Sequence, residues 1–301
     1  MLIDRRTFLA SAGVAAAAPA WAFDAAAWIE TLPSFGRDDK AETRIRVWLP
    51  PRYPEAGRRY NTLYMLDGQY AFAGDSDGIN FAADRRVATL MAARKIEPCV
   101  IVAIDNLEED RFLQYMPQTI YDRASTEVRA TVEREIARVG KTALSSAQFI
   151  TFLETQLKPL VDTRYQTSPD RLDTAIFGAS MAGVMAGAIF VEAQRSFGRG
   201  ACMSPNWPIY DKNMVDHAGL PALWADYFGQ LAGPAGRKLW LDHGTEMMDA
   251  GMAPHQSAIA QRLTDLGWQR GRDLQTRVYQ AGHAFAQTAA QMDELLAWLL
   301  A

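Results

Sequence analysis

The residue types able to carry chemistry in this chain are a serine, a histidine and a short run of carboxylates, all in its second half. Ser180 lies in Asp173-Thr-Ala-Ile-Phe-Gly-Ala-Ser-Met-Ala-Gly183. An apolar strand there runs into a small-residue turn and then a helix over about 181–195. Small neighbours, Gly178 and Ala182, let such a turn close tightly and hold the serine at its apex clear of the sheet. The helix points its N-terminus at the same place, where negative charge would develop during acyl transfer. Alone, such a string more often marks a structural turn. The strand before it, the helix after it and a matching histidine mark Ser180 as a nucleophile.

A serine nucleophile needs a base, and the base needs an orienting acid. His283 follows the last strand directly, flanked by Ala281-Gly282, and is the natural base. The acid is expected after the strand 238–241, within Asp242-His243-Gly244-Thr245-Glu246-Met247-Met248-Asp249. Asp249 and Glu246 both fall in the turn where the acid belongs, with Asp249 slightly preferred. The other is then a rim or helix-capping carboxylate. Asp242 is still in the strand and is expected to face the wrong way. An oxyanion hole would use the N–H of Met181 and a second donor from Asp67-Gly68-Gln69, where Gly68 allows close approach and Gln69 supplies an amide. Asp67, Trp207 and His243 are candidates for the substrate pocket. His217 and His255 are read as surface or packing residues.

These groups must be positioned by a sheet. Residues 43–49 alternate Arg44, Arg46 and Trp48 with Ile45, Val47 and Leu49, the period of a half-buried strand, which Pro50-Pro51 ends. Further strands are expected at 62–66, 99–104, before Ser180, and at 200–203, 238–241 and 274–279. The run Cys99-Val-Ile-Val-Ala-Ile104 reads as a strand buried on both faces. Helical spacing appears over 149–161, 255–266 and 292–300. Strands alternating with helices imply an α/β fold with a mostly parallel central sheet covered on both faces. In such sheets the chemistry gathers past the C-terminal strand ends. The polar residues in those places are Asp67-Gly68-Gln69, Asp105-Asn106, Ser180, Ser204, 243–249 and Gly282-His283. The less regular stretches 111–146, charged and partly helical, and 204–236 are expected to shape the mouth, with Trp207, Trp224, Tyr227 and Phe228 either walling it or packing in the core.

With 301 residues, 49% hydrophobic and 22% charged, the chain has an ordinary globular balance suited to one large α/β domain or two small ones, and no linker in it separates two. A net charge of −4 argues against nucleic acid and anionic lipid surfaces as partners. Asp4-Arg5-Arg6-Thr7-Phe8-Leu9, an Ala-rich run and Ala20-Trp21-Ala22 have the form of a twin-arginine export signal. Residues 1–22 are therefore expected to be a leader and 23–301 a single domain, periplasmic or secreted, with no stable membrane insertion after cleavage. Cys99 and Cys202 lie in apolar runs and read as buried free thiols, although an oxidising compartment leaves a disulfide open. No His/Cys/Asp/Glu spacing suggests a metal site.

From about residue 43 onward the chain resembles the esterase D and enterochelin-esterase-like branch of the α/β-hydrolases. The resemblance rests on Arg46-Val-Trp-Leu-Pro50, Leu63-Tyr-Met-Leu-Asp-Gly-Gln69, Val102-Ala-Ile-Asp-Asn106 with Arg111-Phe112 and Tyr115-Met-Pro117, Phe152-Leu153 to Pro159, Tyr165, Gly178-Ala-Ser-Met181, Met203-Ser-Pro205 and Gly282-His283. It implies the α/β-hydrolase fold, the roles given above for Ser180, His283 and the Gln69 loop, no cofactor, and a small-molecule or glycan-linked carboxylic ester as substrate. Members cleave siderophore lactones, feruloyl or acetyl sugar esters, or S-formylglutathione, and a few transfer acyl groups. Two positions depart from the family pattern: Ala182 replaces a glycine in the elbow, and Met247 occupies the usual place of the acid. The expected function is an exported serine esterase acting through an acyl-enzyme. The alternatives are an acyltransferase with the same triad, or a catalytically impaired binding protein for a sugar or siderophore.

Overall fold

A computed structural model describes residues 27–33, 35–36, 42–210 and 217–301. The expected leader, residues 1–22, lies outside the described residues. Eight strands form one sheet: β1 Trp28–Thr31, β2 Ile45–Leu49, β3 Asn61–Leu66, β4 Cys99–Ile104, β5 Thr174–Ala179, β6 Arg199–Met203, β7 Lys238–Gly244 and β8 Leu274–Tyr279. Their spatial order is β1-β2-β4-β3-β5-β6-β7-β8. The pairs β1–β2 and β2–β4 are antiparallel, and every other neighbouring pair is parallel. Parallel pairing is why each connection must cross a face of the sheet, and the crossings carry the helices.

The strand interiors divide by parity. Tyr64 and Leu66 of β3, Val100, Val102 and Ile104 of β4, and Leu239 and Leu241 of β7 face one core. Leu63 and Met65, Cys99, Ile101 and Ala103, and Trp240 face the other. Helices α1 Ala83–Ala92 and α6 Met292–Leu300 cover the second core. The first is covered by α2 Thr126–Arg138, the helical stretch 146–164, α3 Met181–Glu192, α4 Leu220–Phe228 and α5 Ala253–Asp265. Pro159 lies in the stretch 146–164. It cannot donate to the carbonyl four residues back and crowds it, and the turn Leu153–Leu157 opens to π geometry. Helix α3 is buried from Met181 to Val191, which its all-round apolar sequence permits.

Three expectations need correction. Strand β2 is not half-buried: all five residues are covered. Arg46 fits there because Asp75 and the Gly68 carbonyl take its guanidinium. Strand β7 runs on to Gly244, three residues past the expected end, so His243 joins Asp242 as a sheet residue. The stretch 204–236 is not wholly irregular, since α4 lies inside it, with Pro221 accommodated in its first turn. Cys99 and Cys202 are both free and buried. Burial pushes the Cys99 thiol up to about 12, which suits packing rather than reactivity.

Candidate active site

Ser180, Asp249, His283 and the Asp67-Gly68-Gln69 loop all lie past the C-terminal ends of parallel strands. Ser180 follows β5 directly, with φ 59° and ψ −126°, a conformation rarely adopted by residues with a side chain. The surrounding bonds hold it there. Its N–H donates to the Met203 carbonyl at 3.0 Å, and its carbonyl accepts from the N–H groups of Val184 at 3.1 Å and Asn206 at 3.2 Å. Gly178 makes the turn possible: a Cβ there would lie 2.0 Å from the Ala182 carbonyl oxygen. That clash is with the backbone of residue 182, whose own methyl is buried.

His283 Nε2 is 2.8 Å from Ser180 Oγ, and His283 Nδ1 is 2.6 Å from Asp249 Oδ1. The imidazole therefore bridges the hydroxyl and a carboxylate, the geometry needed to take a proton from the serine. Glu246 is exposed and meets the histidine loop through its backbone, its N–H donating to the Ala281 carbonyl at 3.0 Å. Of the two acids left open by the sequence, only Asp249 contacts the ring. Asp249 Oδ2 accepts from Ser204 Oγ and, at 3.0 Å, from the Gly244 N–H. Burial works to raise the pKa of this carboxyl. Hydrogen bonds from His283, Ser204 and the Gly244 N–H outweigh it, and Asp249 stays below the ordinary carboxylate range.

A second carboxylate lies beneath the first. Asp242 Oδ1 accepts from the Ser204 N–H at 2.8 Å and Oδ2 from Trp240 Nε1 at 2.6 Å. Burial, with the charge of Asp249 adding to it, pushes Asp242 up to about 7 against those two bonds. Ser204 is thus fixed through its backbone by one carboxylate while its hydroxyl serves the other. The sequence flags Ser204 by its place after a strand but gives no partner for it.

A cavity of about 410 Å³ opens over Ser180 and His283. One wall is apolar: Tyr70, Ile79, Phe81, Phe285 and Ala179. The Phe81 and Phe285 ring centroids are 4.6 Å apart, and those of Tyr70 and Phe285 5.7 Å. The other wall carries Asp67, Asn106 and Arg111. Arg111 grips Asp67 with two nitrogens, Nη2 to Oδ2 at 2.6 Å and Nε to Oδ1 at 2.9 Å, and Asn106 Nδ2 donates to Asp67 Oδ1 at 2.6 Å. Asp67, Gly68 and Gln69 lead off β3, and Gln69 Oε1 accepts from the Asn106 N–H at 3.2 Å. Met181 is the first residue of α3, so its N–H has no acceptor within the helix.

Trp207 and His243 do not reach this cavity. Trp207 is fully buried, packed 4.8 Å from Trp224 and 5.8 Å from Phe228 between ring centroids. Tyr227 and Phe228 are core residues too, so the aromatic cluster of 204–236 is packing rather than wall. His243 is buried in β7 and its Nδ1 donates to the Gly244 carbonyl at 2.7 Å. Among the described residues, the stretches 111–146 and 204–236 supply the cavity with only Arg111 and Ser204. The aromatic wall comes instead from 70–81 and from Phe285, and only their closeness in sequence to Gln69 and His283 hints at it. No group of three or more His, Cys, Asp or Glu among the described residues is placed to hold a metal ion.

Several solved structures share the fold. A ferulic acid esterase superposes with a TM-score of 0.61 at 15% identity, covering 92% of this chain and 98% of its own. The BES protein from Bacillus cereus gives 0.64 at 16% identity, covering 91% and 95%. The enterobactin esterase FES from Shigella flexneri, solved in the presence of enterobactin, gives 0.63 at 15% identity, with 91% of this chain covered. This chain spans only 58% of that longer enzyme. Among curated proteins no sequence matches significantly. A family model described as putative esterase matches residues 39–299. With the sheet and its helices in the α/β-hydrolase arrangement, the chain belongs to this esterase family and is a carboxylic ester hydrolase.

Proposed function

We propose that the chain cleaves its ester through a Ser180–His283–Asp249 triad and a covalent acyl-enzyme. The observation that carries this is the unbroken relay from Ser180 Oγ through the two ring nitrogens to Asp249, at 2.8 and 2.6 Å. Ser180 Oγ attacks the acyl carbon as His283 takes its proton. The same proton then leaves with the alcohol as the tetrahedral intermediate collapses. Water, deprotonated by His283, attacks the acyl-serine and releases the acid. Asp249 holds the imidazole in the tautomer with Nδ1 protonated and stabilises the cation that forms. The Met181 and Gln69 amides bind the oxyanion, with Gly68 permitting the loop to come close. A cavity with aromatic rings on one side and Asp67, Asn106 and Arg111 on the other suits a small ester with an aryl or similarly flat part and a polar part. The ferulic acid and enterobactin esterases among the structural neighbours are in keeping with that class.

Ser180→Ala should abolish nitrophenyl-ester hydrolysis without changing the melting temperature, and quenched wild-type reactions should carry the acyl group on Ser180 by mass spectrometry. Undiminished turnover by the variant would overturn the assignment. The twin arginines and Ala20-Trp21-Ala22 support export of residues 23–301 as one domain. Mature protein recovered from a periplasmic fraction should then begin at Phe23. Retention of the full chain in the cytoplasm would exclude it.

A further inference from the structure

Arg46 has no place in the chemistry described so far, yet it is buried next to the loop that follows β3. Its Nη2 donates to the Gly68 carbonyl at 2.6 Å. Its guanidinium is clamped by Asp75, Nη1 to Oδ1 at 2.7 Å and Nη2 to Oδ2 at 2.9 Å, and lies 5.0 Å from the Phe72 ring centroid. Asp75 is itself tied to the loop, with Oδ2 accepting from the Phe72 N–H at 2.8 Å. A second carboxylate, Asp105, approaches Nη2 at 3.8 Å. This is a rigid, paired cation aimed at one carbonyl oxygen.

That carbonyl belongs to the peptide joining Gly68 and Gln69. A peptide unit is planar and trans, so its C=O and N–H point in opposite directions. Fixing the Gly68 oxygen on Arg46 therefore fixes the Gln69 N–H on the far side of the same plane. The Ala71 N–H also donates to this oxygen, at 3.0 Å. Two donors on one carbonyl polarise the amide and strengthen its N–H as a donor. Gly68 leaves the loop no slack, because a Cβ there would lie 2.4 Å from the Ile104 nitrogen.

We propose that Arg46 is a positioning residue for the oxyanion hole, setting the Gly68–Gln69 peptide so that its N–H meets the developing oxyanion. This rests on the reading of Gln69 as an oxyanion donor. Without Arg46 only the Ala71 N–H holds that oxygen, so the peptide is set less firmly, and the loss falls on the transition state rather than on substrate binding.

The test compares an oxoester with the thionoester of the same acid and alcohol, in which sulfur replaces the carbonyl oxygen. Sulfur is larger and a poorer acceptor, so an oxyanion hole favours the oxoester and the ratio of the two kcat/KM values reports its quality. Partial loss of folded enzyme cancels in that ratio. Arg46→Lys keeps the charge but cannot hold Asp75 in a fork and reach Gly68 together. Arg46→Met removes all three hydrogen bonds. In each, kcat for the oxoester should fall by about 10- to 100-fold with KM little changed, up to the low end of what losing one oxyanion donor costs. The oxoester-to-thionoester ratio should fall with it. Gln69→Pro removes the N–H in question, along with the side chain and some backbone freedom, and Gln69→Ala controls for the side chain. A collapsed ratio in Gln69→Pro with a wild-type ratio in both Arg46 variants would overturn the role of Arg46 and leave Gln69 in the hole. An unchanged ratio in Gln69→Pro would remove Gln69 from the hole, and the proposal with it.

Discussion

Asp249 is surrounded by donors: the His283 ring, the Ser204 hydroxyl and the Gly244 amide. Each favours the ionised form, and together they leave the carboxylate one orientation. Removing the partner and removing the charge should therefore have different effects. Ser204→Ala deletes one charge-assisted bond, worth about 1.5 kcal/mol, so kcat for a nitrophenyl ester should drop about tenfold with KM unchanged. Asp249→Asn leaves the shape but presents the wrong groups to Nδ1, and should cost about 10,000-fold in kcat. Steady-state kinetics on both variants checks the order. Equal losses would mean that Ser204 does more than hold the acid. At this scale the sequence shows the serine and histidine plainly, because each is announced by the element beside it. It leaves Asp249 and Glu246 open because both sit in one turn and differ only in which way that turn folds. Asp242, set aside as facing the wrong way, takes its hydrogen bonds from the Ser204 N–H and Trp240 Nε1, and so supports Ser204 and through it Asp249.

The element that matters most is the strand-turn-helix around Ser180. Gly178 and α3 touch backbone to backbone, so Gly178→Ala should force the elbow apart and cost roughly 3 kcal/mol or more, with activity lost in the fraction that folds. Ala182→Gly should behave oppositely. The family's usual glycine adds no needed space here, so activity should persist while the helix loses about 1 kcal/mol of stability. Chemical denaturation with parallel ester assays separates the two. A large gain in kcat from Ala182→Gly would mean that the alanine strains the turn. Strands β4 and β8 are legible in the sequence to the residue: β4 is an unbroken apolar run, and β8, Leu-Gln-Thr-Arg-Val-Tyr, is set off by Gly271-Arg-Asp273 before it and by Ala281-Gly282 after it. The burial of β2 is not. Alternating Arg44, Arg46 and Trp48 signal an exposed face, and only Asp75, twenty-nine residues beyond Arg46, makes one of those positions a buried site. Helix α4 is less well hidden: Leu220, Trp224, Tyr227 and Phe228 fall at helical spacing and form its buried face, with Ala222 and Asp226 exposed, but Pro205, Pro208 and Pro221 break up the pattern around them.

For the whole molecule, stability and the site share the same sheet. Both faces are covered, so a charge on a central strand has no route to water, and Asp242 on β7 pays for that position in pH dependence. Burial raises its folded-state pKa to about 7, while in the unfolded chain an aspartate titrates near 4. Between those values the folded state holds the extra proton, so the stability linked to Asp242 is complete below about pH 4 and declines as pH rises toward 7. Asp249 has the opposite sign in a separate window. Its folded value is depressed, so its contribution is present above about pH 4 and is lost only as pH falls further. Other carboxylates blur the total, and the difference between the wild type and Asp242→Asn isolates the one group. Asparagine has a fixed cost at Trp240 that does not vary with pH. The variant should therefore gain on the wild type between pH 4 and 7, by at most about 4 kcal/mol, and the gap should stay constant above. Urea unfolding of both proteins at half-unit steps measures it. Parallel curves across that range would mean that Asp242 is already ionised in the fold, held by Trp240 and the Ser204 amide alone.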